Sequence, residues 1–245
     1  MTLLLMLACG DKDVVDDTTP IVDTVPEWAM PDSGVIQLTT SDGVDLVADY
    51  YPTETEGASA VILLHMIPPN WDRTSWPDTF ISALGDKGWA VIVPDRRGAG
   101  DSGGVASEAY AGPNGKYDAE ACVQRLVDDG YGKIAIIGAS NGTTTTLDYA
   151  LWSLTDETAL PTPTALGFMT GGSYTENQYS MSDLGVLPAI FTYSTAENAW
   201  SVEQQALAHD EWVFNEYNGG SHGSQMFNTK PEVSDDLVGF LEAHL

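Results

Sequence analysis

The sequence predicts a single α/β domain in which helices cover both faces of a mostly parallel sheet. Short, largely apolar segments, such as residues 60–64 and 133–137, alternate with amphipathic segments such as residues 117–129. A strand that is apolar along its length is typical of a sheet buried on both faces, and alternating strands and helices form βαβ units with parallel strands. At 245 residues, of which 43% are hydrophobic, the chain is long enough for one domain with a substantial core.

The predicted elements follow a regular order along the chain. Alternating apolar and polar residues on either side of a glycine-containing turn predict a hairpin at residues 35–40 and 44–51. Further strands are expected at residues 60–64, 89–93, 133–137, 165–169, 189–193 and 213–217. Helices are expected at residues 76–87, 117–129, 143–154, 202–209 and 233–244, the first two of them ended by Gly88 and Gly130.

The charge balance disfavours two classes of partner, nucleic acid and anionic membrane surfaces. Lys and Arg number 9 and Asp and Glu number 36, so the formal net charge is −27. Nucleic acid is a poor partner for such a chain, because phosphate recognition needs clustered basic residues. An anionic membrane surface would repel it as well. With only two cysteines, Cys9 and Cys122, the sequence contains no disulfide framework.

The first residues resemble the end of a bacterial lipoprotein signal. A short apolar run closes with Ala8 and Cys9, the position of the cysteine that is lipidated in such proteins, although no basic residue precedes the run. The run is too short to span a bilayer, and residues 11–20 form an acidic, Thr- and Pro-containing linker. We therefore expect residues 1–33 to be a signal remnant with a linker, and residues 34–245 to be the folded domain. The expected location is the cell envelope, lipid-anchored at Cys9 on the periplasmic or outer surface, or secreted.

The pattern G-x-S-x-G at residues 138–142 is the most specific chemical signal in the chain. It lies directly between a predicted strand and a predicted helix, which is the layout of a nucleophile elbow. A serine on such a sharp turn projects its hydroxyl away from the backbone, and the N-terminus of the following helix favours negative charge beside it. The pattern therefore predicts Ser140 as a catalytic nucleophile.

Together, the motifs in this order resemble the α/β-hydrolase fold family over residues 34–245. After the opening hairpin come a His-containing loop, the segment 95–102, the elbow, an acid after the strand 189–193 and a His after the last strand. The resemblance implies a serine hydrolase without a cofactor or a metal. The short segment 171–187 stands at the usual cap position, so a minimal cap or none is expected. The loop 219–225 is similar to dienelactone-hydrolase-like and peptidase-like members.

The resemblance also implies the base and the acid of a catalytic triad. A serine needs a base within hydrogen-bond reach, and the base needs an acid that orients it. His222 lies in a Gly-rich loop after the last strand, where the family places its base. Glu197 follows the strand before it and takes the position of the acid, although the family's usual Gly-x-x-Asp turn is replaced here. Asp183 is the alternative acid.

Two backbone N–H groups are expected to form the oxyanion hole. One belongs to Asn141, the residue after the nucleophile, and the resemblance assigns the other to Ile67, in the loop that begins with His65. The aromatic residues Trp71, Tyr174 and Trp200 are candidates for lining the substrate pocket, and a structural role is an equal alternative for each.

The expected reaction is hydrolysis of a carboxylic ester through an acyl-enzyme. With little or no cap, the site should be open and suit a small-molecule ester that is soluble or short-acyl. Cleavage of a peptide or thioester is the nearest alternative, and a non-catalytic, surface-anchored binding protein is the more distant one. The glycine pattern at residues 98–103 is not expected to bind a dinucleotide, because Gly104, Pro113 and Gly115 continue the loop where a helix would have to begin.

Overall fold

The computed structural model describes residues 29–245, in which eight strands form one sheet in the order β1-β2-β4-β3-β5-β6-β7-β8. Strands β1 and β2 form an antiparallel hairpin and β2 pairs antiparallel with β4, whereas all the other neighbours are parallel. The strands are β1 Gly34–Thr39, β2 Asp45–Tyr51, β3 Ala60–Leu64, β4 Ala90–Pro94, β5 Ile134–Ala139, β6 Ala165–Met169, β7 Ala189–Ser194 and β8 Trp212–Tyr217.

Helices cover both faces of this sheet. The α-helices are α1 Asp78–Gly85, α2 Lys116–Asp128, α3 Gly142–Trp152, α4 Ala199–Gln204, α5 Met226–Thr229 and α6 Glu232–Glu242. Helices α2 and α3 pack on one face, and α1 and α6 pack on the other. Short 3₁₀ turns occur at Arg73–Ser75, Ala106–Ala109, Ser173–Glu176, Met181–Asp183, Thr195–Glu197, Gln205–Leu207 and Gly223–Gln225.

The central strands are apolar throughout because each of them serves two cores. In β3, Ile62 and Leu64 enter the cluster beneath α2 and α3, while Val61 and Leu63 enter the cluster beneath α1 and α6. All four side chains are fully buried. Since successive side chains of a strand point to opposite faces, only an unbroken apolar run fills both clusters. The predicted α/β class, with a mostly parallel sheet and helices on both faces, is confirmed.

The predicted helix at residues 202–209 is wrong in its bounds. Helix α4 ends at Gln204 and is followed by a 3₁₀ turn, so His209 lies in the loop before β8. There the His209 ring lies 5.1 Å from the ring of Trp212, and its Nδ1 accepts a hydrogen bond from the N–H of Glu211. In a continued helix the N–H of Glu211 would instead donate to the carbonyl oxygen of Leu207. The helix instead begins earlier, because Trp200 packs on Phe168 and Phe191.

Residues 29–245 contain no helix that is both long and apolar enough to span a bilayer. The described residues do not include Cys9, the expected signal remnant or most of the expected linker. Cys122 is buried in α2, where burial raises the pKa of its thiol.

Candidate active site

Ser140 lies on a strained turn between β5 and α3. Its φ angle is +49°, in the left-handed region that residues with a side chain seldom adopt. The turn is held by a hydrogen bond of 2.7 Å from the Ser140 N–H to the carbonyl oxygen of Met169, at the end of β6. The serine is only 5% exposed. The surrounding backbone thus fixes the direction in which the side chain leaves the turn.

Two glycines permit the close packing of this turn. A Cβ atom on Gly142 would overlap the carbonyl oxygen of Leu64 and lie 2.7 Å from that of His65. A Cβ atom on Gly138 would lie 2.5 Å from the carbonyl carbon of Gly142. Contacts this short with backbone atoms are not relieved by a side-chain rotation. The glycines of the G-x-S-x-G pattern therefore let the first turn of α3 approach both β5 and the end of β3.

Ser140, His222 and Glu197 form one hydrogen-bonded chain. The Nε2 atom of His222 lies 2.6 Å from Oγ of Ser140, and its Nδ1 atom lies 3.0 and 3.1 Å from the two carboxylate oxygens of Glu197. With a proton on Nδ1, the imidazole donates to Glu197, and Nε2 is free to accept the proton of the serine hydroxyl. This arrangement can carry out general-base activation of a serine.

The predicted base and the predicted acid are much more exposed than the serine. The side chain of His222 is 37% exposed and that of Glu197 is 42% exposed. Both residues lie in segments that follow the carboxyl ends of neighbouring strands, Glu197 in the 3₁₀ turn after β7 and His222 in the loop after β8. Asp183, the alternative acid, is exposed in the 3₁₀ turn Met181–Asp183 and makes no hydrogen bond to His222. The site is open to solvent on this side.

The two backbone donors expected for an oxyanion hole have no acceptor within residues 29–245. The N–H of Asn141 stands at the N-terminus of α3, and that of Ile67 lies in the loop after β3. The Ile67 side chain is partly exposed. Asn141 is buried, where an N–H is normally paired, so its free N–H can receive the oxygen of a tetrahedral intermediate, and the Ile67 N–H is a second free donor.

The structure separates the three predicted aromatic lining residues. The hydroxyl of Tyr174 lies 3.4 Å from Oγ of Ser140 and donates to the carbonyl oxygen of Thr170 at 2.8 Å, so this residue borders the nucleophile. Trp200 packs on the rings of two core phenylalanines, and Trp71 packs against the cluster beneath α1 and α6. Both tryptophans are partly buried and make core contacts. These contacts fit a structural role, which was the alternative to lining the substrate pocket.

Sequence analysis missed Thr170, the residue that connects the serine side of the site with the histidine side. It is buried, and its φ angle is +52°, which is a rare conformation for a β-branched residue. Its carbonyl oxygen accepts the Tyr174 hydroxyl, and its Oγ1 accepts the N–H of Gly223 at 3.0 Å, next to His222. The only available signal was its position directly after a predicted strand.

The run of threonines at the start of α3 ties the segment after β6 to the nucleophile helix. Oγ1 of Thr143 donates to the carbonyl oxygen of Ser140 and shares a hydrogen bond of 2.7 Å with Oγ1 of Thr175. Oγ1 of Thr144 donates to the carbonyl oxygen of Tyr174. These bonds hold the Tyr174 hydroxyl beside Ser140.

His65 is a fixed, neutral neighbour of the site. It is fully buried, and burial together with the charge of Arg96 lowers its pKa to about 3. Its Nε2 accepts the N–H of Arg96 at 2.8 Å, and its Nδ1–H donates to the carbonyl oxygen of Met66 at 2.7 Å. Neutral histidine makes both bonds at once, which explains why this imidazole holds the loop after β3 and is unavailable as a base.

Among residues 29–245, His, Cys, Asp and Glu side chains form no group of three that could hold a metal ion.

Comparison with known proteins identifies the fold. A family model described as the α/β-hydrolase fold matches residues 59–152, the segment from β3 to α3.

Solved structures with the same fold are similar over most of the chain. An esterase of Pyrococcus furiosus is 16% identical, with a TM-score of 0.66 over 87% of this chain and 91% of that chain. The α/β hydrolase GrgF from a Penicillium species is 12% identical, with a TM-score of 0.69 over 87% and 99% of the two chains. An esterase from a Rhodococcus species is 13% identical, with a TM-score of 0.65 over 86% and 100%. The comparison with curated proteins found no significant match.

Proposed function

The chain has the α/β-hydrolase fold, and we propose that it is a serine hydrolase that cleaves carboxylic esters through an acyl-enzyme. The observation that carries this proposal is the contact of 2.6 Å between Nε2 of His222 and Oγ of Ser140, with Glu197 on the other ring nitrogen. An elbow, a base and an acid in this chain order are the requirements of such a nucleophile.

In the proposed reaction, Oγ of Ser140 attacks the ester carbonyl carbon while its proton passes to Nε2 of His222. Glu197 accepts the hydrogen bond of Nδ1–H and stabilises the imidazolium. The carbonyl oxygen, now an oxyanion, receives the N–H groups of Asn141 and Ile67. His222 then gives its proton to the leaving alcohol. Water repeats the same steps on the acyl-enzyme and releases the acid.

The openness of the site favours a small, soluble or short-acyl ester. The base and the acid are about two-fifths exposed, and the segment after β6 contains only two short 3₁₀ turns, at Ser173–Glu176 and Met181–Asp183. Such a segment offers little apolar surface for a long acyl chain, whose binding would need an extended apolar groove. Rates on esters of increasing acyl length test this point, and a strong preference for long chains would contradict it.

The first experiment is labelling with a fluorophosphonate probe, which reacts covalently with activated serines. We expect the wild-type protein to be labelled and the variants Ser140→Ala and His222→Ala to remain unlabelled, with circular dichroism showing that both are folded. Absence of labelling in the folded wild type would instead favour a non-catalytic binding protein with this fold.

The bond type is tested with matched ester, thioester and amide substrates that share one acyl group. Esters have the better leaving group, so we expect kcat/KM to be largest for the ester and at least about a hundredfold smaller for the amide. A preference for the thioester or the amide would assign a thioesterase or a peptidase.

We also propose that the protein is anchored to the cell envelope through lipid on Cys9. The support is the apolar run that ends at Cys9 and the acidic linker after it. The test is incorporation of labelled palmitate into the full chain in a bacterial host. Label is expected in the wild type and in the control Cys122→Ser, and its presence in Cys9→Ser would contradict the proposal.

A further inference from the structure

Two adjacent arginines after β4, Arg96 and Arg97, are both fully buried but have different kinds of partner. Arg97 donates to the carboxylate of Asp118 at 2.7 Å and to that of Asp42 at 2.8 Å. Arg96 has no carboxylate within hydrogen-bond distance among residues 29–245. A buried charge is normally paired with an opposite charge, because desolvation is costly. Arg97 follows this rule, and Arg96 needs another explanation.

The partners of Arg96 are neutral groups, and two of them, the side chain of Asn141 and the carbonyl of Met66, adjoin the expected oxyanion donors. Its Nη1 donates to Oδ1 of Asn141 at 3.0 Å and to the carbonyl oxygens of His65 and Met66 at 3.2 and 3.4 Å. Its Nη2 donates to Oγ1 of Thr145 at 2.9 Å and to the carbonyl oxygen of Ala109 at 2.7 Å. One guanidinium therefore contacts both the loop after β3 and the residue that follows the nucleophile.

The contacts of the Met66 carbonyl constrain where the Ile67 N–H points. The carbonyl of Met66 and the N–H of Ile67 belong to one planar, trans peptide, so they point in opposite directions. Two donors hold this carbonyl, Nδ1–H of His65 at 2.7 Å and, more weakly, Nη1 of Arg96 at 3.4 Å. The N–H of Ile67 consequently points away from the two groups that hold the Met66 carbonyl.

The charge of Arg96 also persists at the pH of the reaction. Burial lowers its pKa to about 10, with part of the effect offset by the charge of Asp118. At neutral pH the guanidinium is therefore positive, in surroundings from which water is excluded. A fixed positive charge in such surroundings stabilises nearby negative charge more strongly than it would in water.

We propose that Arg96 is a positioning residue for the oxyanion hole: it holds the peptide of Ile67 and the residue Asn141 together, and its charge stabilises the oxyanion that forms between their N–H groups. This proposal rests on the proposed serine hydrolase function. It assigns Arg96 a role in the transition state and none in binding of the ground-state ester.

The test compares Arg96→Lys with Arg97→Lys, which are the same chemical change at two equally buried neighbours. Lysine keeps the charge but loses the planar fork that reaches several acceptors at once. Active sites are first titrated with the fluorophosphonate, so that kcat refers only to competent sites. For Arg96→Lys we expect kcat per site to fall by about 10- to 100-fold with KM changed less than about twofold. For Arg97→Lys we expect a lower melting temperature and kcat per site within about twofold of the wild type.

A second readout follows the oxyanion itself. Phenylboronic acid forms a tetrahedral, anionic adduct with an activated serine, so its inhibition constant should rise for Arg96→Lys in parallel with the fall in kcat/KM. Inhibition of Arg97→Lys should match that of the wild type. An unchanged kcat per site and an unchanged boronate affinity in Arg96→Lys would overturn the proposal, whatever its melting temperature.

If Arg96→Lys does not fold, the pair Thr145→Val and Thr145→Ser replaces it. Valine removes the hydroxyl that holds Nη2 of Arg96, whereas serine keeps it. We expect kcat per site to fall about three- to tenfold in the valine variant and to be restored in the serine variant. Equal values in the two variants would overturn the proposal.

The outcomes also separate this proposal from the proposed hydrolase function. If neither the fluorophosphonate nor the boronate reacts with the wild type, the hydrolase function is overturned as well. If the wild type reacts and the variants are unaffected, only the role of Arg96 is overturned.

Discussion

The two sides of the candidate site are held by different forces. On the nucleophile side, Ser140 is buried on a strained turn between two central elements, with glycines that allow backbone to approach backbone. On the opposite side, the side chains of His222 and Glu197 are about two-fifths exposed and hydrogen-bond each other and Ser140. Packing cannot be replaced by water, whereas exposed hydrogen bonds compete with water. Substitutions on the nucleophile side should therefore change stability, and those on the opposite side should change chiefly the rate.

The substitution His222→Ala should have the largest effect on the rate and almost none on stability. Without the base, the serine hydroxyl is a weak nucleophile, so kcat should fall by about 10⁴- to 10⁶-fold. The partly exposed imidazole contributes little packing, so the melting temperature should remain within a few degrees. Steady-state kinetics and thermal unfolding measure the two quantities. A large loss of stability would show that the exposed side also supports the fold.

The substitution Glu197→Gln should reduce kcat by about 10²- to 10³-fold. Glutamine preserves the shape and can accept the hydrogen bond of Nδ1–H, but it does not stabilise the imidazolium with a charge. The control is Glu216→Gln, which removes an equal charge from β8 at a residue whose carboxylate faces Asn198. The control should retain wild-type kcat within about twofold. Equal effects of the two substitutions would mean that net charge, and not the contact with His222, determines the rate.

The substitution Gly142→Ala tests the packing on the nucleophile side. The new Cβ would overlap the carbonyl oxygen of Leu64 and crowd that of His65, so we expect a destabilisation of about 2–3 kcal/mol in denaturant unfolding. The control is Gly239→Ala in α6, where the new Cβ would meet no atom within 4 Å. There a gain of about 0.5–1 kcal/mol is expected from helix propensity alone. Similar free energies of unfolding for the two variants would refute the close-packing argument.

The same contrast explains what the sequence alone can predict. The strands and most helices follow from hydrophobic periodicity, and β3 and β6 have the predicted bounds. The elbow is readable because G-x-S-x-G combines a local turn with a close approach of backbone. The contacts of Arg96 and Thr170 cannot be read in this way, because they join segments distant in sequence, and no local pattern encodes them. The bounds of α4 were missed because Trp200 makes tertiary contacts that outweigh local periodicity.

Thr170 connects the two sides, so its substitution shows how far they depend on each other. Thr170→Val keeps the shape of the side chain but leaves the buried N–H of Gly223 without its acceptor. Because Gly223 follows His222 directly, we expect the imidazole to lose its alignment and kcat per titrated site to fall about tenfold, with KM nearly unchanged. Thr170→Ser keeps the hydroxyl and should restore most of the rate. If both variants were equally slow, the strained backbone at this position would hold the histidine loop, and the hydrogen bond would not.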